Sequence, residues 1–254
     1  MSKNKLLLST WIVFSILSSS ILSSGAALAD EKAVMDGKVI WDNWYIVSVS
    51  KNIPYEYYNE KAVLKDGKIQ FFNHVWKKEE GFINEEQLGA FSNGDMDLTP
   101  LFYNYRATYR ATEATIDGNV HDGKMLVVKV KKGSETIPTV THSIPAKTFF
   151  STFFPLWLGK QLQTQKVNAD FSFNTILEDN IDQGFDTVSG RVHVEKPDEF
   201  ATKSKTKKVS VTYKEDQHSF WWVDDKGAAV RIEMDSNNTV VERTTKEKAE
   251  AFLK

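Results

Sequence analysis

The sequence predicts a mainly β protein in which a curved antiparallel sheet surrounds one apolar helix in the middle of the chain. Roughly ten segments alternate between apolar and polar residues, and turn-forming residues separate them. Residues 147–161 break this pattern, because their apolar side chains recur with helical spacing. A single apolar helix among strands is most simply buried against the concave face of a curved sheet.

The predicted helix at residues 147–161 carries its apolar side chains on one face. They follow the spacing i, i+1, i+4, i+5, i+8 and i+9. They are Phe149, Phe150, Phe153, Phe154, Trp157 and Leu158. Pro155 removes one backbone hydrogen bond, so we expect a kink or a division into two turns, and Gly159 is the predicted C-terminal cap. Such an apolar helix face is typical of a core helix, of the lid or wall of an apolar cavity, or of a contact with a membrane surface.

The first 29 residues have the pattern of a secretory signal peptide. Lys3 and Lys5 precede an apolar run, and Ala27, Leu28 and Ala29 form a small-x-small cleavage site. A retained membrane anchor is the alternative, but serines and a glycine dilute the far end of the run. The chain has no cysteine, so it has no lipid-attachment site and no disulfide. We expect residues 30–254 to form a single β-rich domain, periplasmic or secreted, that is not a lipoprotein.

Composition excludes several classes of function. Removing 29 of the 254 residues leaves 225, and the formal charge changes from −2 to −4 because the signal contains two lysines and no acid. A mildly acidic domain of this kind is not expected to bind nucleic acid. Hydrophobic residues make up 41% of the chain, which can supply a core without disulfides. No later apolar run approaches the roughly 20 residues of a membrane-spanning helix.

The individual strands follow from alternation and turn residues. Asp66 and Gly67 predict a tight hairpin between the second and third of three strands in a meander. Asn84 is a predicted cap for a short helix over residues 84–90. The clearest strand follows, because Tyr103, Tyr105, Ala107, Tyr109 and Ala111 share one face and polar residues share the other.

The second half of the chain repeats this pattern after the helix. Residues 197–206 are charged, so an exposed loop is expected there, and Thr244 with Glu247 predicts a capping box for a final helix over residues 246–253. One further strand is predicted before the helix, around residues 126–130. The others follow it, around residues 171–173, 188–195, 209–213, 219–223, 230–234 and 240–241.

Four further aromatic residues are candidate ligand-lining residues. Consecutive strand residues point to opposite faces, so one of Trp221 and Trp222 is expected in the concave interior and the other against a helix, an edge or a partner. Tyr105 and Tyr109 belong to the aromatic wall of their strand. All four are equally compatible with ordinary core packing. Arg106 on the opposite, polar face, together with Arg110, is either solvated or able to meet an anionic group.

No residue pattern indicates a catalytic or metal centre. The five histidines are not spaced as metal ligands on one element, and the chain lacks G-x-S-x-G, H-E-x-x-H and phosphate-binding glycine motifs. The acidic pairs Glu79–Glu80, Glu85–Glu86 and Asp224–Asp225 lie in predicted loops or turns and are interpreted as solvated charges. We therefore predict a non-enzymatic protein with no cofactor and no metal.

Several short motifs resemble those of exported bacterial proteins of the DUF3108 group, which are similar in shape to lipoprotein carriers of the LolA and LolB type. The similar features are a proline, an apolar helix and a glycine within residues 143–161, then residues 188–190, 221–222, 225–227 and 231–233. The resemblance implies an incomplete β-barrel wrapped around helices, with an apolar cavity. The carriers move acylated proteins between membranes, and this chain differs from them in length and lacks a diagnostic motif.

Two functions are compatible with these observations. The first is an exported protein that binds a lipid or other apolar small molecule in a cavity of the sheet. The second is a structural or protein-interaction module of the cell envelope with a filled core, which meets a partner through sheet edges or residues 197–206. No stable membrane span is expected after the signal is removed.

Overall fold

The computed structural model describes residues 37–50, 53–79, 81–109, 112–182, 184–213, 217–235 and 238–252. The predicted signal peptide and Arg110 lie outside these residues. Within them, strands dominate, as the sequence predicts, and a few short helices lie between them.

The first half of the described chain contains eight strands in succession. They are β1 (Lys38–Val49), β2 (Ile53–Lys65), β3 (Lys68–Glu79), β4 (Phe82–Asn93), β5 (Pro100–Tyr109), β6 (Thr112–His121), β7 (Met125–Lys132) and β8 (Glu135–Ser143).

The second half contains seven shorter strands and all the helical elements. The strands are β9 (Thr148–Phe150), β10 (Asp170–Leu177), β11 (Asp186–Val194), β12 (Lys207–Tyr213), β13 (Gln217–Val223), β14 (Ala229–Met234) and β15 (Thr239–Thr244). A 3-10 turn (Ser151–Phe153) leads into helix α1 (Phe154–Leu162), and two short helices follow, α2 (Glu199–Ser204) and α3 (Lys246–Ala251).

All of the described strands belong to one open sheet. From one edge to the other, the order runs from β8 back to β1, then from β15 back to β9. Pairing between β1 and β15 joins the two halves, with Val47 opposite Val241. Neighbouring strands are antiparallel except for β9 and β10, which are parallel. The prediction of a mainly β, antiparallel architecture is confirmed.

Turn chemistry and alternation explain most of this sheet. Asp66 and Gly67 both have positive φ, 50° and 72°, which is the backbone geometry that a tight hairpin between β2 and β3 requires. In β5, Tyr103, Tyr105 and Ala107 are buried on the inner face, and the residues between them lie on the outer face. The period of two therefore sets which side of each strand enters the core.

The predicted helix over residues 84–90 is wrong, because these residues belong to strand β4. Asn84, Glu86, Leu88 and Ala90 are buried on one face with a period of two. Strand β4 pairs with β3 on one side and β5 on the other. Pairing on both edges supplies hydrogen-bond partners along the backbone of this segment, which outweighs a local capping signal.

The predicted exposed loop at residues 197–206 is also wrong in part, because it contains helix α2. Asp198 caps this helix by accepting a hydrogen bond from the backbone N–H of Ala201 at 2.7 Å. Phe200 packs on the ring of Trp222, with 5.6 Å between ring centroids. The aromatic contact fixes the helix on the outer face of the sheet.

The central helix is shorter than predicted. Phe149 and Phe150 extend strand β9 instead, and Pro155 lies in the first turn of α1, where the missing N–H removes no helical hydrogen bond. Gly159 lies within α1 and is not its cap. A Cβ atom at Gly159 would lie 2.4 Å from the Cα of Gly227, so only glycine allows the helix to lie this close to the β13–β14 turn.

Residues 148–158, which we call the aromatic segment, contact strands from both halves of the sheet. In the first half, the ring centroid of Phe153 is 5.7 Å from that of Phe71 on β3, and Phe150 is 5.1 Å from Tyr103 on β5. In the second half, Phe154 is 5.1 Å from Trp221 on β13. The segment therefore forms one core with residues that are far apart in sequence.

Replacement of Phe154 by alanine is expected to reduce the free energy of unfolding by about 3–5 kcal/mol, because a fully buried ring leaves a cavity. Chemical denaturation measures the change. Phe102→Ala is the control, since that ring is 40% exposed, and its expected cost is about 1 kcal/mol. Equal losses from the two variants would show that the aromatic segment does not organise the core.

Candidate functional site

The structure brings most of the predicted ligand-lining residues together in the core. Phe149, Phe150, Phe153, Phe154 and Leu158 are fully buried, and Trp157 is 6% exposed. The rings of Phe149 and Trp157 stack with 5.0 Å between centroids. The aromatic segment and Trp221 thus form one tightly packed cluster.

Trp221 and Trp222 point to opposite faces of β13, as the sequence predicts. Trp221 faces the interior and contacts Phe154, and its Nε1 donates a hydrogen bond to Ser219 Oγ at 3.0 Å. Trp222 lies on the outer face, where its Nε1 donates to the carboxylate of Asp198 at 3.1 Å. Trp222 therefore lies on the other side of the sheet from the predicted ligand-lining residues of the interior.

Tyr105 lies away from the aromatic cluster and lines a small cavity between strands β3 to β5 and the turn after β10. This cavity has a volume of about 10 Å³, which is room for about one water molecule. Its lining residues are Asn73, Glu86, Gln87, Leu88, Tyr105, Glu178 and Asp179. The name "acidic pocket" is used below for this cavity.

Tyr109 borders a second cavity next to the acidic pocket. It also has a volume of about 10 Å³, and Glu86 lines both cavities. The other lining residues of the second cavity are Lys77, Glu79, Asn84, Ala107 and Thr108. The two tyrosines thus border cavities of water size, apart from the cluster formed by the aromatic segment and Trp221.

Burial changes the ionisation of the acids in the acidic pocket. Burial, together with the nearby charges of Glu56 and Asp179, raises the pKa of Glu86 to about 8. Burial likewise raises the pKa of Glu178 to about 8 and that of Asp179 to about 6. At neutral pH, Glu86 and Glu178 are therefore mostly protonated and uncharged.

Glu178 connects the acidic pocket to the aromatic segment. The backbone N–H of Thr152 donates a hydrogen bond to Glu178 Oε1 at 3.2 Å, and the Ser151 hydroxyl hydrogen-bonds to Oε2. Both partners belong to the 3-10 turn that precedes α1. One carboxyl group therefore supports the turn at the centre of the core.

Another buried acid, Glu60, lies on strand β2. Burial raises its pKa to about 8, and a hydrogen bond with Tyr45 and the charge of Arg243 oppose that shift in part. The Tyr45 hydroxyl donates its proton to the backbone oxygen of Ala229 at 3.1 Å. This network lies where β1 and β15 join the two halves of the sheet.

The sequence interpretation missed these interior acids. Glu86 was interpreted as a solvated charge in a loop, and it is buried in β4. Alternation could have revealed the burial of Glu86, because Glu86, Leu88 and Ala90 occupy every second position of the segment and therefore share one face of a strand. Glu178 has no comparable signal, since it follows the last residue of β10 and is buried by the aromatic segment.

The described residues hold no group of three or more His, Cys, Asp or Glu side chains placed to bind a metal ion. In the same part of the chain, none of the helices has the length and hydropathy needed to cross a membrane.

Comparison with known proteins identifies no family. No protein-family model matches the sequence, and no curated protein matches it. A solved structure of a DUF1089 family protein from Pseudomonas aeruginosa is similar with a TM-score of 0.42 and 11% sequence identity, over 68% of this chain and 87% of that chain. Function is therefore inferred from the residues of this chain alone, and the resemblance to the DUF3108 group stays a prediction.

The free energy of unfolding is expected to fall as pH rises from about 5 to 8. The folded chain keeps protons on Glu60, Glu86 and Glu178 up to a pKa of about 8, whereas the unfolded chain loses them near 4.5. Each independent carboxyl of this kind contributes about 1.4 kcal/mol of lost stability per pH unit in that window. Chemical denaturation at several pH values measures this slope.

Glu86→Gln tests the assignment, because the amide resembles the protonated acid and has no charge to lose. The slope should become shallower in this variant, while Glu135→Gln, at an exposed position on β8, should leave it unchanged. A wild-type slope in Glu86→Gln would contradict the assignment of a raised pKa to Glu86.

Proposed function

We propose that this chain is an exported, non-enzymatic module of the cell envelope that has a filled core and acts through contacts at its surface. The observation that supports it is the burial of the aromatic segment, whose rings pack against strands of both halves of the sheet. The acidic pocket and its neighbour each have room for about one water molecule. Neither can accept a ligand of ordinary size in this conformation.

The proposed architecture is an incomplete β-barrel wrapped around the aromatic segment and α1. Contacts of the segment with Phe71, Tyr103, Tyr213 and Trp221 support it, because strands β3, β5, β12 and β13 all reach the same few rings. Lys160 on α1 also donates hydrogen bonds to the backbone oxygens of Gly94 and Asp95, at 3.0 and 2.8 Å. The helix thereby reaches the β4–β5 connection.

Export is proposed from the sequence of the first 29 residues, whose basic start, apolar run and Ala27-Leu28-Ala29 site fit a signal peptidase substrate.

A non-enzymatic role is proposed because the clustered acids lack space for a substrate. Glu86, Glu178 and Asp179 are the carboxyl side chains that the fold brings to the acidic pocket. A general acid must lie within hydrogen-bond reach of a reacting group, and a cavity for one water molecule admits none larger. These acids are interpreted as part of the interior.

Site-specific photo-crosslinking in intact cells tests the interaction module. A crosslinking residue is placed in turn at three exposed positions: Thr139 on edge strand β8, Lys203 on α2 and Phe102 on the outer face. We expect one position to yield a discrete adduct that the other two do not give. The absence of a discrete adduct at all three positions would contradict a function based on these surfaces.

Binding of a lipid or other apolar ligand is the second candidate, and the attachment of the aromatic segment favours it. Only three residue pairs join β9 to β10, from Asn174–Thr148 to Ile176–Phe150. Most of the other contacts of the segment are made by side chains. An acyl chain could replace those side-chain contacts if the segment moved away from the sheet.

Native mass spectrometry of the protein purified from cells tests this candidate. It predicts a retained acyl species in the wild type that is lost in Trp157→Asp, because a charge is introduced among the buried rings. Phe102→Asp on the outer face is the matched control and should keep the species. Wild-type protein without bound acyl species would exclude a carrier role.

A further inference from the structure

Glu178 is buried where its charge would be poorly tolerated. Its side chain lies among the least exposed in the described chain, at 1% exposure. It accepts the Thr152 N–H and contacts the Ser151 hydroxyl. These two donors favour the ionised form, yet the pKa is still raised to about 8, so burial outweighs them.

The groups around Glu178 add no compensating positive charge. Asp179 follows it directly, and Glu86 and Tyr105 face it across the acidic pocket from β4 and β5. The charges of Glu178 and Asp179 also raise the pKa of Tyr103 on β5.

The more distant charges are also mainly negative. The charge of Asp186 raises the pKa of Asp179, and the charge of Asp117 raises the pKa of Tyr103. Glu56 acts on Glu86, and Lys77, whose charge favours ionisation of Glu86, lines the neighbouring cavity. Loss of the Glu178 proton would therefore place a negative charge among acids and phenols.

We propose that Glu178 is a proton-controlled anchor that holds the aromatic segment against the sheet while protonated and loosens it when ionised. The anchor acts on the 3-10 turn at Ser151 and Thr152, which leads directly into the buried rings of α1. Release exposes the carboxylate to water and removes the two hydrogen bonds together. The inference goes beyond the proposed function, because an interaction module with a filled core does not require this anchor to open.

The anchor predicts a particular pH dependence for local opening. In the closed state the Glu178 proton is held up to a pH of about 8, and in an open, solvated state it is lost near 4.5. The opening equilibrium constant should therefore rise about tenfold per pH unit between these values and level off above about 8. Protonation stabilises the closed state, so acidification tightens the anchor.

Hydrogen–deuterium exchange of the mature chain between pH 5.5 and 7.5 measures this opening, after correction for the chemical exchange rate. Protection of the α1 amides in the wild type should fall by up to about 100-fold over these two pH units. Protection of the central β3 amides should stay higher at every pH. In Glu178→Gln the α1 amides should show no such fall, because the amide side chain can keep both hydrogen bonds without charge.

Glu60→Gln is the matched control, because Glu60 is also buried with a pKa of about 8 and hydrogen-bonds with Tyr45 rather than with the 3-10 turn. It should retain the wild-type pH dependence at α1. The proposal is overturned if α1 and β3 amides show the same protection and slope, since release would then require global unfolding. It is also overturned if the protection of the α1 amides in Glu178→Gln falls with pH as steeply as in the wild type. If that variant does not fold, the comparison of α1 with β3 amides in the wild type decides.

Discussion

The structure depends on burial of the aromatic segment between the two halves of one sheet. A fully buried phenylalanine contributes about 2–3 kcal/mol relative to an exposed one, and Phe149, Phe150, Phe153 and Phe154 are all fully buried. Pairing of β1 with β15 connects the halves through their backbones, whereas the aromatic segment connects them through side chains. Loss of the segment would leave aromatic rings of both halves exposed to water.

The part of the interior next to the aromatic segment is built with different chemistry. Buried carboxyls replace apolar side chains there, and a carboxyl without its charge costs less to bury than an ionised one. The sheet therefore tolerates Glu86 and Glu178 as neutral hydrogen-bonding groups. Glu178 accepts a hydrogen bond from the 3-10 turn that leads into the aromatic rings of α1. This hydrogen bond connects the apolar part of the interior to the acidic part.

Particular residues show how far the sequence could be interpreted. The Asp66–Gly67 hairpin, the inner face of β5 and the opposed rings of Trp221 and Trp222 follow from local geometry, and all three predictions are confirmed. Strand β4 was missed because Asn84 resembles a helix cap, and neighbouring strands decided otherwise. Helix α2 was missed because its support comes from Trp222, which is distant in sequence.

The sequence by itself determined the β-rich class, the alternation of most strands and the presence of one aromatic segment in the middle of the chain. These properties depend on side-chain period and turn chemistry, which act over a few residues. Only the tertiary structure decided that β1 pairs with β15, that Phe154 meets Trp221, and that Glu178 is buried beside the 3-10 turn. Burial and the resulting pKa depend on groups brought together by long-range packing, and no local pattern encodes them.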